Sequence, residues 1–377
     1  MRYLHITDIH MGTPAVPSKS VHDGLEQTFF TGKRFADVDA LLVTGDVFDE
    51  ALDHASESAM WATRSITTML RFCKKHNIVL IVLEGTPLHD RNQSRWFGEY
   101  NELYEIGCAL YYFPKLTVQH IPELGKTILA VPDEVAKPRI KADDKVARLL
   151  EEHNLTHVDI ALTHGFYDHL LPKFKQEDGH QSDYYQSITR EFIANGHVHT
   201  PHVHRPTLSK PPIITGGSAI RKAHGEEEPK GGHLIEVTDT GEVNITFIKN
   251  KILVPFKKVD VRKLSIDKAT AKIEKVVGKW ETGNCMLHCL RSDPVRDTIS
   301  YFRDKYPHVK FKTKVEKVEL VDKDDQEIDL SAKIQGVSIN NQNIYSLVEQ
   351  ASLKEDIDPL KRDRALAKFK ELISEGL

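Results

Sequence analysis

The sequence predicts an α/β layered fold with a smaller α/β domain behind it, and three observations carry that prediction. Short apolar runs alternate with longer amphipathic segments, each run stops at Asp, Gly or His, and the alternation restarts after Val254 in a more basic stretch. Tyr3 to Thr7, Ala40 to Thr44, Ile78 to Leu83 and Val158 to Thr163 read as buried strands, because unbroken runs of Ile, Leu and Val lack the polar alternation of a half-exposed strand. Residues 56 to 76, 91 to 107 and 137 to 154 read as helices between them, the pattern that builds layered α/β domains. Beyond about residue 200, Pro212 to Thr215, His233 to Val237 and Val243 to Ile248 are strands and turns, which predicts a second sheet packed on the first. From Val254 the order is strand, helix (about 266 to 280), strand (284 to 290), helix (about 294 to 306) and strand (308 to 314). A final helix, about 358 to 374, sets Leu360, Ala365, Ala367, Phe369 and Leu372 among charges, as a face for this protein or for a partner. The expected domains are 1 to 250, 251 to 320 and 321 to 377.

With 377 residues, 40% hydrophobic and 28% charged, the chain can bury a substantial core. No apolar run approaches the roughly 18 residues of a membrane span. The N-terminus enters a strand directly, without the apolar segment of an export signal. Cys73, Cys108, Cys285 and Cys289 are few and scattered, which suits a reducing compartment, so a cytoplasmic location is expected. Cys285 and Cys289 share a segment that reads as a buried strand in preference to a thiolate metal site. The net charge of −4 hides a gradient: residues 1 to 250 carry 26 Lys and Arg against 34 Asp and Glu, and residues 251 to 320 carry 17 against 9, a local +8. A basic appendage beside a phosphate-processing site gives that gradient, and so does an ordinary solvated face.

The chemistry lies in what stands at the strand ends. Asp8 and His10 follow the first strand, Gly45-Asp46-Val-Phe-Asp49 the second, Gly85-Thr-Pro-Leu-His89-Asp90 the third, and His164-Gly165 the fourth, with Gly196-His197-Val-His199 further on. In open α/β sheets the crevice beyond the carboxyl ends of the strands is the ligand site, so these groups can converge there. Residues i and i+2 on extended chain point the same way, so Asp8 with His10, and His197 with His199, can each offer two ligands to one pocket. Singly, each motif suits a capping carboxylate or a surface histidine. Together, His and carboxylate ligands without cysteine suit manganese, iron or zinc, and two such ions with a bridging carboxylate, for which Asp46 is placed, form a clamp for phosphate ester hydrolysis.

These motifs, in this order, resemble those of the calcineurin-like metallophosphoesterases over roughly the first 200 residues. The opening Thr7-Asp-Ile-His-Met-Gly12 and Gly45-Asp-Val-Phe-Asp49 are similar to the SbcD branch, nuclease subunits of DNA repair and recombination, including phage members. Gly216-Gly-Ser218-Ala-Ile-Arg221, Gly225-Glu226 and Lys230-Gly231 extend that likeness. The resemblance implies a two-sheet metallophosphoesterase sandwich flanked by helices, with a C-terminal α/β capping domain. It implies two divalent ions, manganese first, with magnesium, iron or zinc as alternatives. Asp8, His10 and His199 would hold one ion, His164 and His197 the other, and Asp46 would bridge them. Asp49 is expected to orient a ligand histidine or cap the following helix, with direct ligation as the other reading.

The loop after the third strand departs from the family's Gly-Asn-His-Asp, being two residues longer and without the Asn. Either His89 keeps a catalytic place with Asp90, while Thr86, a backbone carbonyl or water completes the ion's shell, or His89 itself becomes a ligand. Arg91, Lys257, Lys258 and Arg262 are candidate contacts to DNA phosphate, and the lysines read equally well as solubility residues. The implied activity is a DNA exonuclease or endonuclease working with an SbcC-like ATPase as a homodimer. A phosphodiesterase for small or protein substrates and a DNA-tethering scaffold with an impaired site are the alternatives.

Overall fold

Both faces of the central strands are covered, which is why their sequences run apolar without alternation. In the computed structural model, which describes residues 1–133, 142–296 and 298–316, β1 (Arg2–Ile6), β2 (Ala40–Thr44), β3 (Val79–Leu83) and β4 (Leu110–Phe113) run parallel. The second sheet takes β5 (Thr117–Ile121), β6 (Lys126–Val131), β7 (Val158–His164), β8 (Thr189–Gly196), β9 (His202–His204) and β10 (Ile213–Thr215), in the order β5-β6-β7-β8-β10-β9. β11 (Gly231–Val237) and β12 (Val243–Lys249) then return to the first sheet, β11 antiparallel beside β1. Of the segments after residue 200, then, β9 and β10 extend the second sheet, whereas His233 to Val237 and Val243 to Ile248 do not belong to it. That sheet begins at β5, and its partners are chosen by long-range pairing that local pattern does not encode.

Side-chain alternation sorts the layers. Leu4, Ile6, Leu41, Val43, Leu80 and Val82 face α1 (Ser18–Leu25), α2 (Glu57–His76) and α3 (Trp96–Leu103), while Tyr3, Leu42, Ile81 and Leu83 meet Ile160, Leu162, Phe192 and Ala194 of the second sheet. The outer face of the second sheet packs on α4 (Ala142–Glu152) and α5 (Ser182–Ile188) through Leu129, Ala161 and Ile193 against Val146, Leu150, Tyr185 and Ile188. The result is two six-stranded mixed sheets between layers of helix, the sandwich that the metallophosphoesterase resemblance implies.

A third sheet of β13 (Phe256–Asp260), β14 (Gly283–Leu290) and β15 (Val309–Glu316) is all parallel, with α6 (Ile266–Val277) and α7 (Ile299–Lys305) as its crossovers. Cys285, Leu287, Cys289 and Phe311 close its core against Ile273, Val277 and Phe302, so Cys285 and Cys289 are buried thiols, and burial pushes Cys285 up to about 12. Asn284 Nδ2 donates to Ala15 O at 2.9 Å and Lys310 Nζ to Pro14 O, which ties this sheet to the loop before α1. The described residues all lie in one compact unit, Met1–Val318. The helix expected at 358 to 374, the 321 to 377 region and the start of the helix expected at 137 fall outside them. Among the described residues no helix is long and apolar enough to cross a membrane.

Candidate metal centre

The strand ends bring their acids and histidines together on a backbone bent to do so. Asp8 (φ 51°), His10 (φ 53°), Asp46 (φ 49°) and His197 (φ 80°) all occupy the left-handed region, which costs residues other than glycine about 1–3 kcal/mol each. Long-range bonds hold them there: Asp8 N donates to Gly45 O at 3.1 Å, His10 N to Asp46 O at 3.0 Å and His197 N to Asp8 Oδ2 at 3.0 Å. Gly45 (φ 86°) passes so close to the His164 ring and the Gly85 backbone that a Cβ there would collide with both.

Two clusters result, Asp8 with His10 and His199, and Asp46 with His164 and His197; within each, the ligating atoms lie within 4.8 Å of one another. In the first, His10 Nε2 and His199 Nε2 stand 2.9 Å apart, with Asp8 Oδ1 3.8 and 3.6 Å from them. Each ring has a carboxylate on its other nitrogen: His10 Nδ1 lies 3.0 Å from Asp49 Oδ1, and His199 Nδ1 lies 3.0 Å from Glu226 Oε1. An ionised carboxylate only accepts, so His199 Nδ1 carries the proton; His10 Nδ1 faces both Asp49 and the Lys222 ammonium, 3.1 Å away, and with its proton held toward Asp49 both Nε2 atoms turn lone pairs toward one point. Asp8 Oδ1 is buried beside them without a hydrogen-bond partner. Three acceptors with no donor among them fit a cation.

In the second cluster His164 Nδ1 donates to Thr44 O at 2.7 Å, which directs Nε2 toward Asp46 Oδ1, 3.2 Å away. Thr86 Oγ1 lies 3.3 Å from both His164 Nε2 and His197 Nδ1, so the lengthened loop puts a hydroxyl beside this cluster. Asp46 Oδ2 reaches to 3.9 Å from His10 Nε2, so one carboxylate spans the two clusters. Burial works to raise Asp46, but His164 and then His10 outweigh it and hold the carboxyl well below the usual range. Burial likewise works to lower His164, but Asp46 prevails and pushes it up to about 10.

Near neutral pH, then, a proton on His164 supplies the positive charge that the carboxylates demand, and metal loading must displace it. Manganese binding to the metal-free protein is expected to release protons, with apparent affinity rising as pH rises toward about 10. Calorimetric titration in buffers of different ionisation enthalpy measures this, and heats independent of buffer contradict it.

His10, Asp49 and His89 also lie close enough to share an ion. Lys222 Nζ already stands there, 2.6 Å from Asp49 Oδ1 and 3.1 Å from His10 Nδ1, and a fixed ammonium excludes a second cation. Asp49 thus orients His10. His89 Nδ1 bonds to Asp49 O at 2.8 Å, its ring packs edge-on to His10 at 5.1 Å, and it stays partly exposed. Among the described residues its Nε2 has no partner, and its possible ligand neighbours are His10 and Asp49 and not the Asp46 cluster.

Asp90, expected beside His89 as a catalytic group, is a frame for the loop instead. It is fully buried, with Oδ1 accepting from Phe48 N at 2.9 Å and Oδ2 from Gly85 N at 2.8 Å. Burial, with Glu84 and Asp46 nearby, pushes it up to about 8. Asp90→Asn sets an amide donor against one of those N–H groups, so a loss of about 1–3 kcal/mol is expected in denaturant unfolding. Unchanged stability would show that the two bonds contribute nothing.

The candidate DNA contacts divide. Arg262 is not an open cation: its guanidinium bonds Asp260 at 2.7 Å and Glu316 at 2.6 Å. Arg91 is exposed, with Nε on Leu88 O at 3.2 Å. Lys257 and Lys258 are exposed on β13. Lys258 shares a register row with Met286 and Lys312, on the face not covered by α6 and α7, and Lys310 and Lys314 lie on that face too. Lys258 and Lys312 both press on His224, which burial and these two charges lower.

Lys222, Glu226 and Lys230 were not assigned roles by sequence reasoning. Lys230, fully buried, donates to His199 O at 3.1 Å and pairs with Glu226 Oε2 at 3.1 Å, so the charged run 222 to 230 supports the first cluster. The signal available was the Glu226 to Lys230 spacing, which an exposed loop also shows.

Fold and donor set together make a helix-flanked sandwich of two mixed sheets with His and Asp clusters fit for divalent cations. No protein-family profile matches the sequence, and no curated protein is significantly similar to it. Among solved structures, the chain is similar to a single-mutant Vps29 from Entamoeba histolytica, at 14% identity, covering 66% of this chain and 99% of that one with a TM-score of 0.29. Wild-type Vps29 from the same organism, complexed with zinc, matches at 13% identity over 67% of this chain and 100% of that one, with a TM-score of 0.28. At scores this low the likeness adds no argument to the strand order and the site geometry.

Proposed function

We propose that this protein hydrolyses DNA phosphodiesters at a two-ion centre, as the nuclease subunit of an SbcCD-like complex in double-strand-break repair or recombination. The observation that carries the hydrolytic reading is the pair of acceptor-rich clusters spanned by Asp46. Divalent ions there, manganese first, with magnesium, iron or zinc as alternatives, would supply charge stabilisation for the phosphoryl oxygens and activation of water. Asp8, His10 and His199 would hold one ion, and His164, His197 and Thr86 the other. Asp49 and Glu226 fix the tautomers of His10 and His199, and Thr44 fixes that of His164. His89, its Nδ1–H anchored on the Asp49 carbonyl, would act as the imidazolium, whose Nε2–H protonates the departing oxygen.

The choice of DNA rests on the basic face of the third sheet. Lys258 and Lys312 flank His224, two residues from Lys222 at the first cluster, so a polyanion lying on that face leads toward the site. An SbcC-like ATPase partner, a homodimer and a cytoplasmic place belong to the same reading and are supported by the opening motifs.

The test is the purified protein with manganese, given labelled linear duplex and single-stranded DNA beside bis-p-nitrophenyl phosphate. Cleavage of DNA supports the proposal, hydrolysis of the small ester alone favours a phosphodiesterase of small or protein substrates, and no cleavage even with the ATPase favours a tethering scaffold. In binding assays the double variant Lys258→Glu/Lys312→Glu is expected to flatten the dependence of log affinity on log salt by about one for each phosphate no longer neutralised. An unchanged slope removes this face from the DNA path.

A further inference from the structure

A second group of histidines lies outside the clusters described above and shares no residue with them. β9 is the edge strand of the second sheet and reads His202-Val203-His204, which places both imidazoles on one face of the strand. His169 comes from the short turn Asp168–Leu170 that follows β7. Its ring stacks on His204 with centroids 3.9 Å apart and 14° between planes, and lies 5.7 Å from His202. Ligating nitrogens of the three all fall within 4.8 Å of one another.

The hydrogen-bond chain around His169 fixes where its lone pair is. Ser182 Oγ bonds to Asp168 Oδ1, a carboxylate oxygen that can only accept, so the hydroxyl proton is committed there. His169 Nδ1, 2.6 Å from Ser182 Oγ, must then be the donor in that pairing. The tautomer leaves Nε2 unprotonated, and this atom is buried without a hydrogen-bond partner. An acceptor buried without a partner costs about 1–3 kcal/mol. His204, stacked on it, and His202, tilted beside it, cannot both be protonated together with it without mutual repulsion. A positive ion among them, met on the in-plane lone pairs once the His204 ring turns out of the stack, removes both penalties.

We propose that His169, His202 and His204 form a third metal site, built for a borderline transition-metal ion, zinc(II) foremost. Three neutral imidazoles without a carboxylate suit zinc and its neighbours in the first transition row, whereas magnesium and calcium require oxygen donors. The exposed side of His202 leaves room for water as a fourth ligand. The role is structural: His169 follows His164 by five residues and His202 follows His199 by three, so an ion here staples the two segments that leave the catalytic clusters. The site does not depend on the phosphoesterase reading.

The experiment strips the full-length protein with chelator, reloads it with zinc, removes free metal and counts bound zinc by plasma mass spectrometry. Wild type is compared with His202→Ala/His204→Ala and with the milder His202→Gln, each checked for native circular dichroism. The double variant is expected to bind one zinc fewer per chain, and the same difference is expected in an Asp46→Ala background. If the dinuclear reading fails, total counts fall but the difference remains. Equal zinc counts in wild type and both variants overturn the proposal, as does an equal difference when magnesium replaces zinc.

Discussion

Replacing Asp46 by alanine is expected to abolish hydrolysis, lowering the rate on duplex DNA and on a small phosphodiester by about a thousandfold or more. The expectation follows from position. Asp46 Oδ1 stands 3.2 Å from His164 Nε2 and Oδ2 stands 3.9 Å from His10 Nε2, so its loss disturbs both clusters at once. It also removes the charge that holds His164 protonated in the metal-free state. The fold is expected to persist, because the surrounding strands pair through their backbones and the backbone bond lost with the carboxylate, from Thr86 N at 2.6 Å, lies in the loop after β3. Manganese content measured beside the rates distinguishes loss of metal from loss of fold. DNA cleavage that survives in the variant would sink the assignment of this cluster as the reacting centre.

His89→Ala is expected to act differently, and the difference is the informative part. His89 belongs to neither ion's ligand set, and its Nδ1 is committed to a carbonyl, so metal content is expected to hold while the rate on DNA falls by about 10²–10⁴. A leaving group that departs without a proton needs no such help. The fall on bis-p-nitrophenyl phosphate is therefore expected to be much smaller than on DNA, whose departing alkoxide is a strong base. Equal losses on both substrates, together with a drop in manganese content, would make His89 a ligand and not a proton donor.

How far the sequence displays this molecule depends on how local each cause is. The buried strands β1, β2, β3 and β7 are legible because each must be apolar on both faces. Their ends are legible because turning there needs glycine and polar side chains. β4 and β5 are not, since Leu110–Phe113 and Thr117–Ile121 lie at sheet edges and keep half-buried Tyr111 and Tyr112 and exposed Gln119 and His120. The sheet that β11 joins depends on its pairing with β1, more than two hundred residues earlier, and no local pattern carries that. In the site, the six acids and histidines at strand ends could be read by type and order. Asp90 could not, because a carboxylate that holds two backbone N–H groups looks the same in sequence as one that moves protons. Nor could Lys222, whose ammonium stands beside both His10 and Asp49, because a lysine in a charged loop looks like solvation.

The left-handed torsions at Asp8, His10, Asp46 and His197 have a consequence for the life of the chain. None is favourable by itself, and hydrogen bonds between strand ends hold the site, Asp8 and His10 to the end of β2, His197 to the end of β1 and His164 of β7 to Thr44 of β2, so the cluster exists only when β1, β2, β7 and β8 are all in register. A nascent, truncated or partly melted chain therefore holds the ligands in sequence but not in space. Competence at the site then reports the integrity of the whole sandwich, a built-in proofreading of assembly that keeps half-made copies chemically silent.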